Sequence, residues 1–189
     1  MNLQKLLDKW SIKCDINIIL GMWNESHRSY HTLDHLNDLI KQIDENKYAF
    51  TDIQYDKLII AALFHDCVYD PMKQDNEERS AEFFIKCCED KTNSDIQDIY
   101  QIILDTKTHE PSNRLSSNFI QFDMNVITNG TFEQLLEWEK GIAEEYKGYG
   151  NDAYKEGRIK FLESLLKKHP YIYNSDNLEK LIEWVKENY

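Results

Sequence analysis

Apolar residues recur along most of this chain at the three- and four-residue spacing of amphipathic helices. Leu3, Leu6, Leu7 and Trp10 follow that spacing behind Asn2, whose side chain suits an N-cap. Leu36, Leu39, Ile40 and Ile43 repeat it after Thr32. A third helix is expected from about Asp52 to the His65-Asp66 pair, through the run Leu58-Ile59-Ile60-Ala61-Ala62-Leu63-Phe64. Asp75 with Glu78 three residues on reads as a capping box opening a helix through Ala81, Phe84 and Ile85. Ser94 is the expected cap of the next helix, which turns Ile96, Ile99, Ile102 and Ile103 inward. From Glu110 to Asn118, Pro111 and several Ser and Asn residues predict a loop. Asn129-Gly130 reads as a turn, Thr131 with Gln134 as a further capping box before Leu135 and Leu136, and Gly148-Tyr149-Gly150 as a break. A helix from about Ala153 should stop at Pro170, and Ser175 should cap a last one carrying Leu178, Leu181, Ile182 and Val185. With no strand pattern, repeat or low-complexity linker, the 189 residues read as a single all-α domain.

Composition restricts what such a domain can do. The chain is 41% hydrophobic and 30% charged, with only six Gly and three Pro, as in a soluble globular protein. A net charge of −12 argues against a long nucleic-acid partner, because phosphate backbones are bound by basic surfaces. It leaves room for a small phosphorylated substrate, since a bound cation reverses the local sign. No apolar run approaches the roughly 18–20 residues of a membrane span, and the start Met1-Asn2-Leu3-Gln4-Lys5 has no signal-peptide apolar region. Cys14, Cys67, Cys87 and Cys88 form no CxxC pair, so neither a zinc ribbon nor a redox motif is expected. The four read as reduced, mostly buried thiols, and the chain as cytoplasmic. Oligomeric state has no signal in the sequence.

Chemistry concentrates at Phe64-His65-Asp66. A histidine and an aspartate at the end of a buried apolar run place a carboxylate where it is costly unless it is paired or bound to metal. An ion pair with a nearby Lys or Arg, beside a core histidine, would satisfy the same residues. His31 and His35 lie four apart and would share one helix face; a polar helix start with satisfied imidazoles accounts for them equally well. Two imidazoles with carboxylates suit Mn, Fe, Co, Ni or Mg as divalent ions with open positions for water.

The order His, then His-Asp, then a distant Asp resembles the HD-domain superfamily of metal-dependent phosphohydrolases. The resemblance implies an HD-like helical bundle with a central metal held by His35, His65, Asp66 and Asp123. Tyr30-His31-x-x-x-His35 is also similar to a segment of cyclic-nucleotide phosphodiesterases, which implies His31 as the acid for the leaving group and His35 as a ligand. A group of small predicted HD phosphohydrolases is more similar still. Its marks appear as Arg28-x-Tyr30-His31, Phe64-His65-Asp66-x-x-Tyr69-Asp70, Asn76-Glu77-x-x-Ser80-Ala81, Thr106-Lys107-x-His109, and Gly157-Arg158 followed by Ile172-Tyr173.

This chain departs from that pattern with Asn125 in Asp123-Met124-Asn125 and with Ala143 before Glu144-Glu145-Tyr146. The implied activity is hydrolysis of a phosphate mono- or diester, nucleotide-derived substrates included. Glu77 is expected to orient the water or His31, Arg28 to position a carboxylate or the phosphate, and Lys107 and His109 to hold a phosphate or a second metal. Arg158 is expected to form a structural ion pair, and Tyr146 and Tyr149 to pack. A non-catalytic HD fold that keeps a metal as a structural or ligand-sensing site is the alternative.

Overall fold

The computed structural model describes residues 2–168 and 175–189. Its regular elements are helices, as the apolar spacing predicts, and the pairing of Ile12 with Cys88 is an isolated bridge. The chain divides into two compact units, residues 1–122 and 123–189, where the sequence reads as one domain.

The first unit is built around a helix that the chain covers on all sides. It contains α1 (Leu3–Lys9), α2 (Ile16–Trp23), α3 (Leu33–Glu45), α4 (Asp52–Phe64), α5 (Asn76–Cys87), α6 (Ser94–Asp105) and all but the last residue of α7 (Arg114–Asp123). Every residue of α4 from Asp56 to Phe64 is buried, against α3, α5 and α6. A helix apolar around its whole circumference belongs in a core. Its two buried charges are met by partners from neighbouring helices. Asp56 accepts from Lys9 Nζ at 2.5 Å and Trp10 Nε1 at 2.8 Å, and Lys57 Nζ reaches Asp95 at 2.5 Å and Asp98 at 2.7 Å. Thr51 and Gln54 close a reciprocal capping box at its start.

The second unit follows with α8 (Asn125–Asn129), α9 (Phe132–Glu145), a 3-10 turn (Tyr146–Tyr149), α10 (Asn151–Lys168) and α11 (Ser175–Asn188). Leu178, Leu181, Ile182 and Val185 face inward from α11, which packs on α9 and α10. Gly150 links the 3-10 turn to α10 at φ 79°, which favours glycine. At Gly130 a Cβ would lie 2.2 Å from the Val126 carbonyl oxygen, so only glycine fits where α8 ends. Thr131 and Gln134 form the expected capping box. The expected stop at Pro170, the cap position before Ser175, and Ile172-Tyr173 lie outside the described residues.

Several local expectations need correction. α2 and α8 were not anticipated. Asn93, not Ser94, caps α6 by accepting from the Asp95 and Ile96 amides. Asp75 stands at the N-cap of α5 but makes no side-chain capping bond, and the Glu78 side chain, the other half of the expected box, turns to Lys107. The loop ends early, as Asn113 accepts from the Ser116 amide at 3.0 Å and α7 begins at Arg114. Cys67 and Cys88 are buried and Cys14 and Cys87 half-buried, all four as free thiols. No helix among the described residues is long and apolar enough to cross a membrane.

Candidate metal centre

The functional side chains sit where α4 ends. A helix leaves its last carbonyls without intrahelical partners, and here Trp23 takes one of them while Arg28 takes two carbonyls of the turn that follows. Trp23 Nε1 donates to the Leu63 carbonyl at 2.9 Å. Arg28 donates through Nη1 to Asp66 O and through Nη2 to Cys67 O, at 3.0 and 2.9 Å. Nη1 also reaches His31 O at 3.0 Å, so one guanidinium joins the turn before α3 to the turn after α4. Its plane lies against Trp23 and Tyr69, at 5.4 and 5.1 Å from the ring centres, and Glu25 receives its remaining donors. The side chain has no exposed surface. Arg28 therefore positions three backbone carbonyls and meets a carboxylate, that of Glu25, the first of the two partners expected for it.

His65 is the C-cap residue of α4 and fully buried, while Asp66 follows in the turn. His65 Nδ1 faces the Ala62 carbonyl at 3.1 Å, which places the proton there and turns the Nε2 lone pair toward the Asp66 carboxylate, 3.3 Å away. His35, on the first turn of α3, brings its ring within 5.7 Å of His65. One ligand atom from each of His35, His65 and Asp66 lies within 4.8 Å of the others.

This donor set fits a divalent ion. A ligating histidine characteristically donates its other ring N–H to a carbonyl or carboxylate, which fixes ring and tautomer, as Ala62 does for His65. A lone pair beside a carboxylate is the arrangement a cation stabilises.

His31 lies outside the helix. Thr32 is the N-cap of α3, so His31 occupies the preceding turn and does not share a helical face with His35. The two rings are nevertheless 6.0 Å apart and edge to face. His31 Nε2 stands 3.8 Å from Asp66 Oδ2, and its ring packs on Tyr69 at 4.5 Å. Trp23, Tyr30 and Phe119 complete an aromatic surround for the imidazoles, at 5.0–6.1 Å between ring centres. Sequence reasoning missed Trp23 and Phe119, whose sole signal is that they are large and apolar.

The segment after Asp66 is pinned by α5. Asn76 accepts from the Asp70 amide and donates to the Asp70 carbonyl, while Ser80 Oγ does the same for Val68. That gives a physical reason for the spacing Asn76-Glu77-x-x-Ser80: two polar side chains on one helix face hold the turn and set Glu77 between them. Burial, and then the Asp66 carboxylate, push the Glu77 pKa above its usual range. Lys107 Nζ donates to Gln74 O at 2.9 Å and pairs with Glu78, so it lies beside the first turn of α5. His109 is half-buried at φ 54°, in the left-handed region. Asp123, the closing carboxylate implied by the resemblance, ends α7 and is the first residue of the second unit.

No family model matches the chain, and no curated protein or solved structure matches it either.

Proposed function

We propose that this chain is an HD-type, metal-dependent phosphohydrolase acting on a small phosphate mono- or diester, a nucleotide-derived one included. The observation that carries the reading is the convergence of His35, His65 and Asp66 at the end of α4, with His31 beside them. His35, His65 and Asp66 would hold a divalent ion, with Asp123 proposed as the fourth ligand. When bound, that ion supplies Lewis acidity toward a phosphoryl oxygen and acidifies a water.

The remaining steps belong to the chain's own groups. Glu77 takes a proton from the attacking water, and its raised pKa brings it nearer the range in which a carboxylate serves as a base at neutral pH. His31 protonates the leaving oxygen, a role an imidazolium can fill. Trp23, Tyr30 and Tyr69 limit water around the imidazoles. Arg28 keeps His31 and Asp66 in register through their carbonyls.

The test is phosphate release from a panel of mono- and diesters and nucleotides with Mn²⁺, Mg²⁺, Co²⁺ and Ni²⁺ supplied in turn. Turnover with at least one ion is expected from the wild type. No turnover across the panel, with metal still bound, would replace this reading by a sensing or structural metal site.

A further inference from the structure

Between α1 and α2 the chain runs extended past the end of α5. Ile12 pairs with Cys88 in an antiparallel bridge, Lys13 N donates to Cys87 O at 2.7 Å, and Glu89 N donates to Ser11 O at 3.2 Å. This brings two cysteines far apart in sequence into contact. Cys14 and Cys87 lie on the two segments so joined, near enough for each thiol to act electrostatically on the other, and both residues are half-buried. Cys14 Sγ also lies 3.7 Å from its neighbour's Asp15 carbonyl. The other two cysteines face elsewhere: Cys88 is buried and donates to Phe84 O at 3.3 Å, and Cys67 is buried beside Ser80.

We propose that Cys14 and Cys87 are an oxidation site that closes to an intramolecular disulfide when the chain meets a two-electron thiol oxidant. Two S–H bonds break and one S–S bond forms. The two electrons and two protons pass to the oxidant, which for a diazene is reduced to the hydrazine. Backbone bonds hold the two cysteine-bearing segments side by side beforehand, so closure joins neighbours already in place.

Burial pushes both thiols up, Cys14 to about 12, so the pair stays protonated at neutral pH and is slow toward weak oxidants. The chain between them carries His31, His35, His65, Asp66 and Glu77. The disulfide would therefore close a ring that contains the described centre of the first unit, whatever that centre does.

The experiment is treatment of the purified full chain with diamide, followed by thiol counting, non-reducing peptide mapping and a thermal scan. Four free thiols should fall to two, with Cys14 joined to Cys87 in the map. The midpoint should rise by roughly 5–12 °C, as a long closed loop constrains the unfolded chain. Cys14→Ser and Cys87→Ser should each retain their three thiols under the same treatment. Four thiols remaining in the folded wild type would overturn the proposal. So would a link that uses Cys67 or Cys88, or one that joins two chains.

Discussion

Each unit of this molecule contains a carboxylate held close by aromatic and basic side chains, and the two are neutralised in opposite ways. In the second unit Glu139 is fully buried and accepts from Arg158 Nε and from the Tyr154 hydroxyl, both at 2.6 Å. Arg158 in turn lies over Trp138 at 4.2 Å and Phe161 at 5.1 Å. The chain supplies its own permanent cation there, as the sequence led us to expect of Arg158. In the first unit Asp66 faces imidazoles at 3.3 and 3.8 Å, while the buried guanidinium nearby, Arg28, binds its carbonyl. Imidazole is neutral or charged according to pH and ligates metals when neutral. A fixed pair makes structure; a carboxylate among imidazoles makes a place whose charge depends on what is bound.

The largest effect should come from separating these two carboxylates. Asp66→Ala should reduce bound divalent metal from about one ion per chain to none, since an anionic ligand is lost and metal affinity depends on it. Glu139→Gln should leave metal content unchanged. Elemental analysis of the two variants decides it, and equal metal in wild type and Asp66→Ala would remove the distinction.

Next, His31→Ala should keep its metal and lose roughly 10²–10⁴-fold in the rate on alkyl phosphate esters. The loss should be smaller on p-nitrophenyl esters, whose leaving group needs little protonation. If the variant instead loses its metal, His31 is a ligand and the acid lies elsewhere.

Arg158→Ala should leave a buried carboxylate without its cation and cost about 3–5 kcal/mol, or roughly 6–20 °C in the midpoint. Its metal content should not change. A wild-type melting curve for this variant would show that the Glu139 pair is not a fixed structural ion pair.

A smaller and pH-dependent effect is expected at Asp105. Burial opposes its charge, but hydrogen bonds from Ser116, Ser112 and Gln101 outweigh it and hold its pKa below the ordinary value. A carboxylate with a depressed folded pKa contributes stability above its unfolded pKa, and loses it as pH falls through the folded one. Asp105→Asn should therefore be less stable by about 1–3 kcal/mol at neutral pH. Urea titrations of the two proteins should converge as acid protonates Asp105. A difference that persists below the carboxylate range would show that shape, and not charge, matters there.

Asp105 also explains why part of the fold was hidden from the sequence. Its carboxylate takes the Ser112 amide and the hydroxyls of Ser112 and Ser116, so the last five residues of a stretch that looks like loop belong to α7. Local composition cannot express an acceptor seven to eleven residues away. The expected capping box is likewise unformed, with the Glu78 side chain turned to Lys107, 29 residues on. α2 went unread because Ile16, Ile18, Ile19, Leu20 and Met22 crowd the helix too densely for a periodic stripe.

By contrast α3, α6, α9 and α11 were legible, since each carries inward apolar positions that its own spacing reveals, and α4 was legible as an unbroken apolar run behind Asp52. At the site, the grouping of His35, His65 and Asp66 came from the resemblance, since the residue types alone left a polar helix start and a core ion pair open. The work of Arg28 was not legible: its acceptors are the carbonyls of His31, Asp66 and Cys67, and every residue has a carbonyl.

Those acceptors also order events in time. Arg28 must reach partners 38 and 39 residues along the chain. Closing so long a loop costs chain entropy before any bond rewards it, so these bonds form only after α3 and α4 have docked. We therefore expect these contacts to form after the folding barrier, to be checked by folding and unfolding rates of Arg28→Ala. Weakening them would shorten the lifetime of the folded state while leaving the speed of folding nearly as it was. On that expectation the side chain that keeps His31 and Asp66 in register sets how long the arrangement lasts and not how quickly it is reached.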